Sequence, residues 1–217
     1  MKTETATSRK AEQSRETQDR LVRAARDLFT ERGYARASME ELVARAGMTR
    51  GALYHQYRDK RDLFRAVFDA VEVDLGQRIA IAAAAETDVW NQLLAGARAV
   101  LASASDPAVR RIIFTDGPSV LGWDEWRRID GQYALAMVRT VLEANIAAGN
   151  LAAQPVEPLS HLLVGAINEA ALAVAAAPDV EAARTEFGAA IERVLDSLRR
   201  AAKAGTPDGT SGRRPRA

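Results

Sequence analysis

The chain has 217 residues, with 30 Lys+Arg against 29 Asp+Glu and a formal net charge of +1. It has no cysteine, and its only histidines are His55 and His161. That excludes disulfides, thiolate zinc sites, cysteine nucleophiles and a multi-histidine metal site within one chain; no metal or cofactor is expected. The charge is uneven: residues 1–65 carry 15 basic and 10 acidic side chains, residues 66–204 carry 12 and 18, and the last 13 residues carry 3 and 1. A basic front on an acidic body points to a polyanion-binding end. The polar N-terminus lacks the apolar core of a signal peptide. No apolar run reaches the roughly 18 residues of a membrane span. A cytoplasmic protein without a membrane partner is expected.

The 44 alanines and the lack of alternating β-branched runs predict an all-α fold of about nine helices. Residues 1–14 read as a disordered polar arm. The first helix is expected over about 15–32, with Leu21, Ala24, Ala25, Leu28 and Phe29 on one face. Gly33 ends it. Ser38 to Glu41 form a capping box that starts a short second helix. Ala46-Gly47-Met48 is a tight turn, and Thr49 caps a third helix, Arg50 to Gln56. Asp59 caps a fourth that begins at Lys60. Later helices are expected at about 87–103, 106–115, 123–148, 156–176 and 180–203, with a break over Thr115–Gly122. The 123–148 helix is apolar on more than one face and reads as central and buried. Residues 205–217, rich in Gly, Pro and Ser, read as a disordered tail.

Residues 38–57 carry the sharpest signal. Two short helices joined by a Gly-containing turn form a helix-turn-helix pattern. Leu53 and Tyr57 face the core. Thr49, Arg50, Gly51, Tyr54 and His55 lie near the N-terminus and outer face of the third helix, where side chains enter the major groove. Arg50 suits guanine or phosphate, and Gly51 lets the backbone approach DNA. Lys60, in the first turn of the fourth helix, suits a phosphate. The pattern alone also fits a plain helical hairpin with a basic face.

Residues 20–68 resemble the DNA-binding domain of the tetracycline-repressor (TetR) family. The likeness rests on Phe29, Gly33, Ser38, Ala46, Gly47, Thr49, Gly51, Tyr54, Tyr57, Lys60 and Leu63 at the family's spacing. Leu42-Val43, Met48 and Tyr57 depart from the usual Ile-Ala, Val and Phe but keep apolar or aromatic character. The resemblance implies a homodimeric bacterial transcriptional regulator, most often a repressor, released from a palindromic DNA operator by a small-molecule effector. It implies DNA contacts by Thr49, Arg50, Tyr54 and His55, with Lys60 and Ser38 on phosphate. It also implies a helix-turn-helix DNA-binding domain over residues 15–65 and an effector-binding and dimerisation domain over 66–204. In the family, the last two helices form the dimer interface. Here they carry the stripes Leu159, Leu162, Leu163, Ala166, Ile167, Ala170 and Phe187, Ile191, Val194, Leu195, Leu198. Part of each stripe must be the chain's own core.

Candidate effector-pocket residues are Trp90, Leu94, Phe114, Trp123, Trp126, Tyr133, Met137 and His161, although aromatics and Met on buried helices more often serve as core packing and a lone histidine more often as a satisfied polar residue; three tryptophans and few central charges favour an apolar or aromatic effector. Two other readings are a non-specific architectural DNA-binding protein and a helical enzyme. For the enzyme, no Gly-rich phosphate loop, His-Glu-x-x-His or nucleophile elbow is found, and Asp116 and Asp124 have no evident catalytic partner. The expectation is therefore a regulator and not an enzyme.

Overall fold

The computed structural model describes residues 2–204. Among them the chain forms nine α-helices and one π-helix, with no strand. The tail expected over 205–217 lies outside the described residues.

Helix α1 (Lys2–Arg36) buries Leu21, Ala25, Leu28 and Phe29 on the face their spacing marks out. The expected disordered arm over 1–14 is corrected: the helix already runs from Lys2. No Gly or Pro precedes Gly33, and Glu, Lys, Gln, Ala and Arg dominate the segment. Such residues extend a helix whose later turns are packed, because propagation is cheap once a nucleus exists. Gly33 breaks the helix at φ 74°, ψ 162°, a conformation essentially restricted to glycine.

Helices α2 (Met39–Ala46) and α3 (Arg50–Gln56) follow where expected. Helix α4 (Lys60–Ala84) is capped by Asp59, whose carboxylate accepts from the Asp62 N–H at 2.8 Å. Leu63 and Phe64 of α4 join Phe29, Leu42 and Leu53 in the core under the first three helices. Val67, Phe68 and Val71 carry the same cluster on to Ile112, Ile113, Trp126 and Ala171. One continuous core thus crosses from the N-terminal head into the larger body.

The body comprises α5 (Val89–Ser103), a π-helix π1 (Val109–Asp116), α6 (Gly117–Leu121), α7 (Trp123–Ala147), α8 (Val156–Ala176) and α9 (Val180–Ala204). Two expectations are corrected here. The 106–115 helix becomes π-helical from Val109, and the expected break over Thr115–Gly122 contains α6. Pro118 sits in the first turn of α6, where its missing N–H costs nothing. Gly117 is required by packing: a Cβ there would meet Phe68 Cε2 at 2.8 Å and the Ile112 carbonyl at 2.9 Å.

Helix α7 is not the central helix its composition suggests. Trp126, Ile129 and Leu142 are buried, but Leu135, Val138 and Ile146 are only half-buried. The centre is filled by α4 and π1 instead. Helix α8 is by length and composition apolar enough to cross a membrane, with a mean hydropathy of 1.5. This corrects the expectation that no segment qualifies. The helix packs against α5, α7, α9 and π1 and buries Leu159, Leu163, Ile167, Ala171 and Val174, as a core helix does.

Candidate DNA interface

The helix-turn-helix is held by local chemistry. Ser38 Oγ accepts from the Glu41 N–H at 3.1 Å while a Glu41 carboxylate oxygen accepts from the Ser38 N–H at 3.3 Å, completing the capping box. Gly47 adopts φ 62°, ψ 40° and donates its N–H to the Ala44 carbonyl. Thr49 Oγ1 accepts from the Ala52 N–H at 3.2 Å and opens α3. Leu53 and Tyr57 are buried, anchoring α3 to the head.

That anchoring turns Thr49, Arg50, Gly51, Tyr54 and His55 outward, and all five are exposed. The Arg50 guanidinium lies 5.8 Å from the Tyr54 ring centroid and 3.2 Å from Glu40 Oε1. An exposed ion pair of this kind is weak and exchanges readily for a base edge or phosphate. Nothing lies within 4 Å of a Cβ placed at Gly51, so no packing inside the chain requires glycine there. The sequence places these five residues together, and the structure presents them on one open surface.

Lys60 is different. Its ammonium donates to the carbonyls of Tyr34 at 2.8 Å and Ala37 at 2.9 Å and lies 4.3 Å from the Tyr34 ring centroid. A lysine has three donors and no other means of binding phosphate. Lys60 therefore clamps the end of α1 to α4, with two of its three protons directed at backbone carbonyls. The Ser38 hydroxyl is likewise engaged with Glu41, within its own capping box.

The pocket candidates do not converge. Trp90 is buried in a core cluster beneath α9, with the Arg199 guanidinium 5.0 Å from its ring centroid. Trp126 is buried and donates its indole N–H to the Ile113 carbonyl at 3.0 Å. Both are packing residues. Trp123 is exposed and stacks on Trp126, and Tyr133 is exposed. Leu94 packs half-buried on the cluster that holds Trp90. Phe114, His161 and Met137 line three separate cavities. Met137 belongs to the apolar one, about 110 Å³, walled by Ile79 of α4, Leu93 and Val100 of α5, Val138 of α7 and Ile167 of α8. Gly96 and Ala97 of α5 also line it, and small residues within an apolar helix were its only signal in the sequence.

The dimer stripes divide in the structure. Leu159, Leu163, Ile167, Ala170 and Leu195 are buried within the chain, so they are corrected to core residues. Ile191 and Leu198 are half-buried. Leu162 at 71% exposure, Val194 at 52%, Phe187 at 36% and Ala166 remain open on the outer faces of α8 and α9.

The sequence did not reveal a buried acidic pair. Glu72 of α4 is 3% exposed, and its Oε1 has no hydrogen-bond partner. Burial, with Asp130 and Asp69 nearby, pushes its pKa up to about 8. Asp130 of α7 is also buried and accepts from the Asn168 side chain. Burial raises it to about 6, against the opposing effects of Asn168 and Arg127.

An all-α body below a capped helix-turn-helix with an open, cation-bearing third helix defines a DNA-binding regulator. Residues 21–67 match the family described as bacterial regulatory proteins, tetR family, and residues 90–198 match the tetracyclin repressor-like C-terminal domain. The chain belongs to the tetR family and is a DNA-binding transcriptional regulator. A TetR-family transcriptional regulator from Pectobacterium atrosepticum is 32% identical, with a TM-score of 0.78 over 86% of this chain and 95% of that one. The TetC protein of transposon Tn10 from Escherichia coli is 27% identical over 157 residues, 71% of this chain and 78% of TetC. AcrR from Shigella flexneri is 35% identical over 66 residues, 30% of this chain and 31% of AcrR. RolR, solved with resorcinol, shares the fold at 18% identity with a TM-score of 0.68, covering 92% of this chain and all of that one.

Proposed function

We propose that the chain works as a homodimeric repressor, released from a palindromic operator by a small apolar or aromatic molecule. In this reading residues 15–65 are the reading head and residues 66–204 the sensing and dimerising body. The observation that carries it is α4, a single helix of 25 residues. Its first turns hold the head through Lys60, Leu63 and Phe64, and its last turns wall the apolar cavity through Ile79 and Ala83. A helix of that length spans about 37 Å, so movement at the cavity wall reaches the recognition helix through one rigid element.

Dimerisation through Leu162, Ala166, Phe187 and Val194 supports the reading, because two copies pairing α8 and α9 cover these apolar side chains in a four-helix bundle. It also sets two α3 helices side by side, as successive major grooves require. The effector then selects a head separation that does not fit DNA. RolR holds resorcinol within the same fold; an aromatic effector of that kind suits the apolar walls around Met137.

The test is footprinting of the DNA upstream of the gene, followed by operator titrations with resorcinol and related aromatics. A symmetric footprint, and release of the operator by such a compound, support the proposal. By linkage the compound should bind more weakly when operator is present. Equal affinity with and without operator would refute the coupling. Uniform protection without operator preference would favour the architectural reading.

A further inference from the structure

A second cavity, about 510 Å³, lies where the head meets the body. It is lined by Thr30 of α1, Arg110, Arg111 and Phe114 around π1, and Leu172 and Ala175 of α8. No Asp or Glu lines it. Among the described residues neither the Arg110 nor the Arg111 guanidinium has a hydrogen bond or ion pair. Asp116, which shares the Gly33 neighbourhood with Arg111, commits Oδ2 to the Tyr34 N–H at 2.8 Å. Arg110 is exposed and Arg111 half-buried, and both border a space whose other walls are partly apolar; a guanidinium there keeps its planar fork of donors free for a carboxylate.

The other polar groups sharpen the chemistry. Thr30 Oγ1 donates to the Arg26 carbonyl at 2.8 Å, and Thr115 Oγ1 donates to the Arg110 carbonyl at 2.9 Å. Both hydroxyls have spent their only proton and can only accept. The two guanidinium groups are therefore the side-chain donors left in the cavity. Guanidinium forms paired, charge-assisted hydrogen bonds with planar oxyanions. The remaining wall, Phe114 with Leu172, Ala175 and Ala176, offers apolar contact. Phosphate, fully hydrated and without an apolar part, would leave that wall unused.

We propose that this junction cavity binds a small organic carboxylate, with its oxygens on Arg110 and Arg111 and its apolar body against Phe114, Leu172 and Ala175. The occupant bridges α1 to α8 three residues before the Gly33 break, so it ties the head to the body. The site is separate from the apolar cavity around Met137, and its binding does not depend on the DNA reading. π-Helical turns occur disproportionately at functional sites, which suits a ligand-holding role for π1.

The test is calorimetric titration of the full chain, without DNA, using phenylacetate, inorganic phosphate and toluene at one ionic strength. Phenylacetate should bind saturably and about tenfold or more tighter than phosphate or toluene. Arg110→Gln/Arg111→Gln should weaken phenylacetate by about tenfold or more, with an unchanged Tm showing the fold intact. Ala176→Trp, which narrows the cavity at its apolar wall and keeps both arginines, should also weaken it. Absence of saturable binding, equal affinity for phosphate, or unchanged affinity in either variant would overturn the proposal. So would a double variant that loses operator affinity in the absence of any acid, because the arginines would then serve DNA.

Discussion

The head and the body are built to different standards of polar satisfaction. In the head, Ser38, Thr49 and Asp59 cap α2, α3 and α4, and Lys60 saturates the carbonyls at the end of α1. In the body, Glu72 Oε1 and Arg199 Nε are buried without partners, and Asp130 is a buried carboxylate. Cavities also open among the body helices and at their junction with the head. Native structures rarely leave buried polar atoms unpaired. A reader of DNA must present a fixed surface, whereas a sensor must have states close in energy to choose between. Helix α4 belongs to both, with Lys60 at the satisfied end and Glu72 in the unsatisfied middle.

The largest expected effect breaks this contrast from the body side. Glu72, raised from 4.5 to about 8, binds its proton more tightly in the folded chain than in the unfolded one. Its raised pKa therefore leaves stability intact below about pH 4.5 and erodes it as pH rises toward 8. Asp130 acts in the same direction up to about pH 6. Glu72→Gln should add roughly 3–5 kcal/mol of stability at pH 9 and little at pH 4.5. Urea unfolding of both proteins at the two pH values checks this; a variant that remains as pH-sensitive as the parent would remove Glu72 as the cause.

Next comes the head. Lys60→Met keeps the stem but removes the hydrogen bonds to Tyr34 and Ala37, and should cost about 2–3 kcal/mol. Its operator affinity should fall only with the folded fraction, and the dependence of affinity on salt should keep its slope. A slope shallower by about one would show a phosphate contact and contradict the clamp. Gly117→Ala should cost about 1–3 kcal/mol by forcing a methyl against Phe68 and the Ile112 carbonyl. Thermal unfolding reads it, and an unchanged Tm would mean π1 gives way easily. The smallest effect on stability is that of Arg50→Ala, below about 0.5 kcal/mol, since Arg50 is exposed. Its effect on operator affinity should nonetheless be about tenfold or more.

The same contrast explains what could be read in advance. The head follows local rules: a capping box at Ser38, a left-handed Gly47 and a Thr49 cap sit within a dozen residues of one another, so spacing alone places Arg50, Tyr54 and His55 on one face. Motif position did not reveal where Lys60 points, because its partners Tyr34 and Ala37 come from an earlier element. In the body, apolar residues can serve the core, a cavity or a partner equally well. Trp90 and Trp126 were indistinguishable from Met137 until tertiary packing assigned them. Leu162 and Leu163 are adjacent in sequence, yet one is exposed and the other buried. Gly117-Pro118 reads as a break, although the pair opens α6 tightly against Phe68.

The central claim is that the open face of α3 reads sequence while the rest of the head holds it still. Fluorescence anisotropy with the footprinted operator and a scrambled duplex, at one salt concentration, tests it most directly. The parent chain should prefer the operator by about a thousandfold or more. Arg50→Ala/Tyr54→Ala should lose most of that preference while its affinity for the scrambled duplex falls far less. An unchanged ratio in the double variant would contradict the account.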